Sequence, residues 1–313
     1  MLNKFKKIYI TGGTGLVGSN IIENEKIKDC TVIAPRHCEL DLLNFEAVKN
    51  FIQKEKPDLI IHTAGQVGGI QANVKDPYGF FTNNTVMGLN VVRSAKEVGI
   101  KNLLNLSSSC SYPCNILTAM SEDMILTGPF EPTNEGYAIA KTVVLRMCEY
   151  ITKQFEGFHY KTLIPCNLYG RHDKFSPKNS HLIPSVIRKL HEAKVNHINE
   201  VDIWGDGLSR REFMYAGDFA EIVVEVIQNF EKIPATLNIG LGYDYSINEY
   251  YEAVAKVVGY NGKFTHDLTK PSGIKQKLLD ISKQKKLGFK NKYTLEEGIA
   301  KTYDYFLNEY KGE

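Results

Sequence analysis

The stretch Lys7-Ile-Tyr-Ile-Thr-Gly-Gly-Thr-Gly-Leu-Val-Gly-Ser-Asn-Ile-Ile22 decides the fold. Its first five residues read as a short apolar strand, its glycines as a tight turn, and Leu16 onward as a helix. Further along the chain, Thr31-Val-Ile-Ala34, Leu59-Ile-Ile-His-Thr63, Asn102-Leu-Leu-Asn-Leu-Ser107 and Thr162-Leu-Ile-Pro165 repeat the strand signal. Amphipathic segments such as 45–55 and 85–98 separate them. This alternation predicts an α/β protein built on a Rossmann-type doubly wound parallel sheet, with helices on both faces. Beyond residue 168 the text turns polar, Arg171-His-Asp-Lys-Phe-Ser-Pro-Lys-Asn-Ser-His181, and helices resume at Ile183. We therefore expect a first domain over 1–168, with a returning segment near 213–242. A smaller C-terminal α/β lobe is expected over 169–212 and 243–313. Thr236-Leu-Asn-Ile-Gly240 reads as a strand, and 248–258 as a surface helix ending at Gly259.

Gly12, Gly15 and Gly18 recur every third residue between the first strand and the first helix. A glycine permits the turn, another lets backbone approach a pyrophosphate, and a third lets helix and strand pack closely. That context points to dinucleotide binding. After the second strand, where an acidic residue would select NAD, the chain reads Ala34-Pro-Arg36-His37. A guanidinium there suits a 2′-phosphate, so NADP is favoured, the alternative being an exposed loop arginine. Asp41-Leu42 could meet the adenine, or Asp41 could cap a helix.

Composition narrows the partners. The chain has 313 residues, 43% hydrophobic, with 38 basic and 36 acidic residues and a net charge of +2. Near-neutrality gives no electrostatic reason to expect nucleic acid or an anionic membrane. The opening residues lead straight into a strand, no apolar run approaches a membrane span, and a cytoplasmic location is the expectation. Cysteines at 30, 38, 110, 114, 148 and 166 form no C-x-x-C pair, in keeping with a reducing compartment. The histidines between 172 and 197 lack metal-ligand spacing, so no metal is expected.

Tyr137 and Lys141, in Gly136-Tyr-Ala-Ile-Ala-Lys141, stand four apart, on one face of a helix. With 17 tyrosines, chance alone supplies roughly one or two Tyr-x-x-x-Lys matches, so the pair matters through its company. That company is the glycine loop and Ser108-Ser-Cys110. In extended backbone, residues two apart face the same way, which would put Cys110 beside Ser108.

Together these features resemble the extended short-chain dehydrogenase/reductases that act on nucleotide sugars. Longer strings narrow the resemblance to the GDP-L-fucose synthases, which are GDP-4-keto-6-deoxymannose epimerase/reductases. They are Val67-Gly-Gly-Ile70, Ser108-Ser-Cys-Ser-Tyr-Pro113, Glu131-Pro-Thr-Asn-Glu-Gly-Tyr-Ala-Ile-Ala-Lys141, Asn167-Leu-Tyr-Gly170, Asn179-Ser-His181 and Lys277-Leu-Leu-Asp280. The similarity spans nearly the whole chain. Thr14 stands where relatives can carry arginine, Gly136 and Arg171 where prolines are common, and Ser111 where a bulkier apolar residue is usual.

The resemblance implies an NADPH-dependent reduction at C4 of a GDP-4-keto-6-deoxy sugar, coupled to epimerisation at C3 and C5. Tyr137 would be the acid, Lys141 its electrostatic support and a ribose ligand, and Ser108 a donor to the ketone oxygen. Cys110 and His181 would be the base and acid of epimerisation. Besides Gly12, Gly15, Gly18, Arg36, Asp41 and Leu42, the resemblance implies cofactor contacts at Leu16, Val17, Tyr137, Lys141, Pro165 and His181. It implies that Asn167, Arg211 and Lys277 hold the sugar diphosphate, with Trp204 lining the nucleotide pocket. It also implies a homodimer built from paired helices. Three alternatives stay open: a C4 reductase of a GDP-4-keto-6-deoxyheptose with weak epimerisation, a 4-epimerase that keeps NAD, and a non-catalytic dinucleotide sensor.

Overall fold

Ile8 and Ile10 pack into one apolar cluster and Tyr9 into another, though all three are fully buried. Leu59 and Ile61 divide from Ile60 in the same way, and Leu104 and Leu106 from Leu103. Successive side chains of a strand point to opposite faces, so these strands bury both.

The computed structural model describes residues 4–176, 180–270 and 274–310. In chain order the elements begin β1 (Lys7–Thr11), α1 (Leu16–Ile22), β2 (Thr31–Ile33), α2 (Phe45–Glu55), β3 (Leu59–His62), α3 (Ile70–Lys75), α4 (Pro77–Val98), β4 (Asn102–Leu106), α5 (Glu135–Gln154) and β5 (His159–Pro165). There follow β6 (Asn167–Tyr169), α6 (Leu182–Val195), β7 (Glu200–Trp204), β8 (Arg210–Arg211), β9 (Phe213–Tyr215), α7 (Ala216–Gln228) and β10 (Thr236–Ile239). The last are β11 (Tyr245–Ser246), α8 (Ile247–Val258), β12 (Lys263–Asp267), β13 (Gln276–Lys277), α9 (Ser282–Lys286) and α10 (Leu295–Asn308).

Six strands form the central sheet in the order β2-β1-β3-β4-β5-β10, all parallel. The order reverses direction at β1, where Thr11 is in register with His62 of β3. Ligands of open α/β sheets bind at the carboxyl ends of strands beside such a reversal. α1 packs against α7 on one face, and α2, α4 and α5 pack on the other. A third cluster, rich in aromatics, joins α6, α8 and α10 with Val201, Ile203, Phe213 and Tyr215.

The elements expected from the sequence are present, with informative shifts at their ends. Helix α4 starts at Pro77, eight residues before the amphipathic pattern does. Asp76 accepts from the Gly79 N–H at 2.9 Å and Pro77 occupies the first turn, so capping starts a helix where Asn83 and Asn84 blur its apolar stripe. Helix α8 has a full capping box between Ser246 and Glu249 and ends at Gly259, whose φ is +74°.

The glycine loop is built as its spacing demands. Gly12 has φ +69°, and the Gly15 N–H donates to its carbonyl at 3.0 Å. A Cβ at Gly18 would lie 2.2 Å from that same carbonyl oxygen. Gly18→Ala therefore forces α1 away from β1, a form of overpacking that costs about 1–3 kcal/mol. Urea unfolding should show the loss as a lower midpoint at unchanged slope, and a variant as stable as wild type would contradict the packing argument.

Candidate active site

Helix α5 carries Tyr137 and Lys141 towards the ends of β3 and β4. Ala138 and Ala140 are both fully buried, so the helix packs closely on two sides. The Tyr137 ring packs edge-on against Phe80 of α4, with 6.5 Å between centroids. Lys141 is 7% exposed, and its Nζ donates to the Leu106 carbonyl at 3.1 Å while lying 5.8 Å from the Tyr137 ring centroid. Burial lowers its ammonium to about 8. Tyr137 is half-buried with its hydroxyl in dense surroundings, and burial is the main cause that holds its phenol well above the ordinary value. A negative charge on Cys110 adds to that shift and the Ser108 hydroxyl opposes it. The phenol is thus a proton donor throughout the neutral range.

Residues beyond the sequence-based set support this pair. Gly65 backs directly onto it, since a Cβ there would lie 2.9 Å from Asn84 Oδ1 and 3.4 Å from Lys141 Nζ. Asn84 accepts from the Gln66 N–H at 2.9 Å and donates to the carbonyls of Gln66 and Phe80. His62 at the end of β3 shares a 2.8 Å hydrogen bond with Thr11 Oγ1. Burial first, then Lys141, lowers this imidazole to about 3, so it is neutral. The signal for Gly65 was its place directly after a strand; Asn84 gave none, because an asparagine inside a helix reads as solvent-facing.

Ser108 and Cys110 meet the site by another route than extended backbone. Residues Ser109–Ser111 form a 3-10 turn, and Ser108 Oγ accepts from the Cys110 N–H at 3.2 Å as its cap. Serine hydroxyls compete for nearby backbone N–H groups in this way, and that competition breaks the strand after Leu106. Ser109 and Ser111 are buried, while Cys110 is half-buried. Cys110 Sγ lies 3.4 Å from Asn134 Nδ2 and 3.4 Å from Lys277 Nζ. Lys277, expected at a diphosphate, thus reaches the thiol.

Near the glycine loop, Leu16 and Val17 are half-buried in the first turn of α1, and Pro165 is buried at the end of β5. Arg36 is exposed and paired with Glu39 at 3.5 Å, and its own N–H donates to Glu39 at 2.7 Å. Asp41 does not cap α2: Asn44 does, accepting from the Ala47 N–H at 3.0 Å, while Asp41 accepts from the Leu43 N–H in a turn of its own. Leu42 is buried in the cluster that holds Leu40 and Val48.

On the opposite side, Asn167 Nδ2 donates to the Glu212 carbonyl at 2.9 Å, and Arg211 Nη1 donates to the carbonyls of Arg210 and Ile274. Trp204 is half exposed at the end of β7, with Lys270 5.6 Å from its ring. His181 stands at the N-cap position of α6, makes no side-chain capping bond there and is half-buried; burial and then Lys174 push its imidazole below the usual value. The preceding Ser180 carbonyl packs near Gly69, whose Cβ would come within 3.2 Å of it. That contact carries the start of α6 to the Val67-Gly-Gly-Ile70 segment, while Asn179 lies outside the described residues. Arg171 pairs with Glu23 at 3.3 Å and Glu309 at 3.4 Å, which ties α1 to the C-terminal helix.

Known proteins resemble this chain over nearly its whole length. The GDP-L-colitose synthase of Yersinia pseudotuberculosis is 50% identical over 303 residues, covering 97% of this chain and 98% of that protein. The GDP-L-fucose synthase of Azorhizobium caulinodans is 49% identical over 306 residues, covering 98% of each. A solved GDP-mannoheptose C4 reductase from Campylobacter jejuni, with NADP bound, has a TM-score of 0.87 at 29% identity, covering 97% of this chain and 99% of that one. The model of the NAD dependent epimerase/dehydratase family matches residues 8–240, and the chain belongs to that family.

Proposed function

We propose that the protein is an NADPH-dependent oxidoreductase that reduces C4 of a GDP-4-keto-6-deoxy sugar and also epimerises C3 and C5. One observation carries the reading: a buried phenol and a lysine-contacted thiol share Ser108, so a reductive acid and a candidate carbon base occupy one site. The names of the full-length relatives support the GDP-sugar substrate.

The residues present fit the cofactor. The cradle at Gly12 and Gly18 would be filled by any Cβ, and Lys141 spends one of its three N–H donors on Leu106 among the described residues. When bound, NADPH supplies the hydride. Gly12, Gly15, Gly18, Leu16 and Val17 would receive the pyrophosphate, and Arg36 the 2′-phosphate once it turns from Glu39. Asp41 and Leu42 would border the adenine, with Pro165 and His181 near the nicotinamide. Lys141 would hold the ribose, Tyr137 would protonate O4, and Ser108 would fix that oxygen. A C4 ketone also acidifies C3 and C5. Cys110 would remove those protons, His181 would return them to the other face, and Tyr137 would steady the enolate oxygen. Asn167, Arg211 and Trp204 would hold the nucleotide end, and Lys277 would serve the thiol.

Loss of the Lys141 proton gives a pH test. The native ammonium releases its proton near 8, below the ordinary 10.5, so NADPH affinity should weaken as pH rises through about 8. The unfolded chain keeps that proton longer, so this group's contribution to stability rises with pH between those values. Fluorescence titration with NADPH from acid to alkaline buffer reads the affinity, and a flat profile contradicts the assignment.

The decisive experiment incubates the protein with GDP-4-keto-6-deoxymannose in deuterated water, with and without NADPH. Stoichiometric NADPH oxidation and deuterium at C3 and C5 are expected. Oxidation without deuterium would favour the second reading, a heptose C4 reductase, which the likeness to the Campylobacter enzyme supports. No oxidation at all would remove the reductase reading.

The proposed division of labour gives the cofactor residues 1–168 and 213–242, and the sugar 169–212 and 243–313. A cytoplasmic homodimer belongs to the same proposal. Tyr78 and Phe81 on α4 and Val143 and Tyr150 on α5 are exposed, giving two adjacent helices an apolar face for a second copy. Among the described residues no helix is long and apolar enough to cross a membrane.

A further inference from the structure

Glu212 is 1% exposed, yet among the described residues it has no cationic partner. Its Oε1 accepts from the N–H groups of Leu241 at 2.5 Å and Gly242 at 2.8 Å, and its Oε2 accepts from the Leu279 N–H at 3.0 Å. A Cβ on Gly240 would come within 2.4 Å of Oε1, so the chain makes room for the carboxylate. Removing a carboxylate from water is costly, and three loop N–H groups could be met more cheaply by water or by backbone. What this carboxylate adds is a fixed relation between segments that are far apart in sequence.

Those segments carry the site. Leu279 follows Lys277 by two residues, and Lys277 pairs in register with Arg211, the neighbour of Glu212. The Met120 N–H donates to the Leu278 carbonyl and the Asp280 N–H to the Met120 carbonyl, which holds the same segment from its other side. The Glu212 carbonyl also receives both the N–H and Nδ2 of Asn167. One residue thus links Asn167, Arg211 and the strand from which Lys277 reaches Cys110.

The geometry points to Glu212 as a positioning residue: its carboxylate clamps the Leu279 backbone so that the Lys277 ammonium stays against the Cys110 sulfur. This deepens the function proposed above, since it assigns Lys277 to the thiol, and it rests on that reading for its catalytic meaning. In Glu212→Gln an amide N–H replaces an acceptor, so a donor faces either Leu279 or the Leu241–Gly242 pair and the clamp opens.

The test needs neither sugar nor cofactor, so its failure is separable from failure of the substrate assignment. Wild type, Glu212→Gln and Lys277→Gln are treated with iodoacetamide at neutral pH, and labelling of each cysteine is followed by peptide mass spectrometry. Exposed Cys38 is the internal reference, and fully buried Cys148 reports unfolding. Loss of the ammonium beside the sulfur should slow Cys110 labelling by about 5-fold in both variants, with Cys38 unchanged. A purely structural role would expose Cys148 and leave the ratio of Cys110 to Cys38 intact. An unchanged Cys110 rate in either variant overturns the proposal. Should Glu212→Gln expose Cys148, Glu212→Asp takes its place under the same criterion, and exposure of Cys148 in both reduces Glu212 to a fold determinant and equally overturns it.

Discussion

Tyr137→Phe is expected to lose about 10²–10⁴-fold in the rate of NADPH oxidation, the usual contribution of a positioned general acid. The substitution removes one oxygen and keeps the ring that packs against Phe80. Lys141 keeps its bond to the Leu106 carbonyl, so cofactor affinity should hold within a factor of about two. The deficit should therefore fall on the chemical step. Single-turnover kinetics separate the two, because a fast binding phase would survive while hydride transfer slows. Burial raises this phenol, so at neutral pH it carries the proton that O4 requires. Ser108 remains in the variant, but an aliphatic hydroxyl is a far weaker acid. A variant turning over within about tenfold of wild type would remove Tyr137 from the acid role.

The proposed role of Tyr137 was readable in sequence only through combination. The Tyr137 and Lys141 spacing, a weak signal alone, becomes specific beside the glycine loop, and the structure joins the same elements at the ends of β1, β3 and β4. The sheet itself was readable because each strand is a short apolar run buried on both faces. Local competition was less readable. Ser108 could continue the strand or cap a turn, and the choice depends on whether its hydroxyl finds the Cys110 N–H. Asp41 presented the same ambiguity and caps a turn rather than a helix. Contacts across long sequence separations were not readable at all. Glu212 sits in Arg210-Arg-Glu-Phe213 and reads as a surface charge, because its donors at 241, 242 and 279 come from other parts of the chain. Lys277 likewise was readable only as a diphosphate or sugar ligand, and its 3.4 Å approach to the Cys110 sulfur comes from the fold.

Cys110→Ser should separate the two chemistries. Deuterium incorporation at C3 and C5 without NADPH is expected to fall by about 10²–10⁴-fold, since a serine hydroxyl cannot replace a thiol as a base near neutral pH. Reduction at C4 should fall far less, as the Tyr137 proton and the Lys141 ammonium are untouched. The contrast follows from placement: Asn134 Nδ2 and Lys277 Nζ approach the sulfur at 3.4 Å each, whereas the Lys141 ammonium bonds the Leu106 carbonyl. Each of the two proposed functions would thus have its own cation. A thiolate formed at Cys110 would also oppose ionisation of Tyr137, which adds to burial in keeping the phenol protonated. One site can then take a proton from carbon and give another to oxygen without rearrangement. The product formed by Cys110→Ser in the presence of NADPH should keep the substrate's protons and configuration at C3 and C5, readable by proton NMR coupling constants. Equal losses of exchange and reduction would show instead that the serine disturbs the site as a whole, and the thiol would lose its separate role.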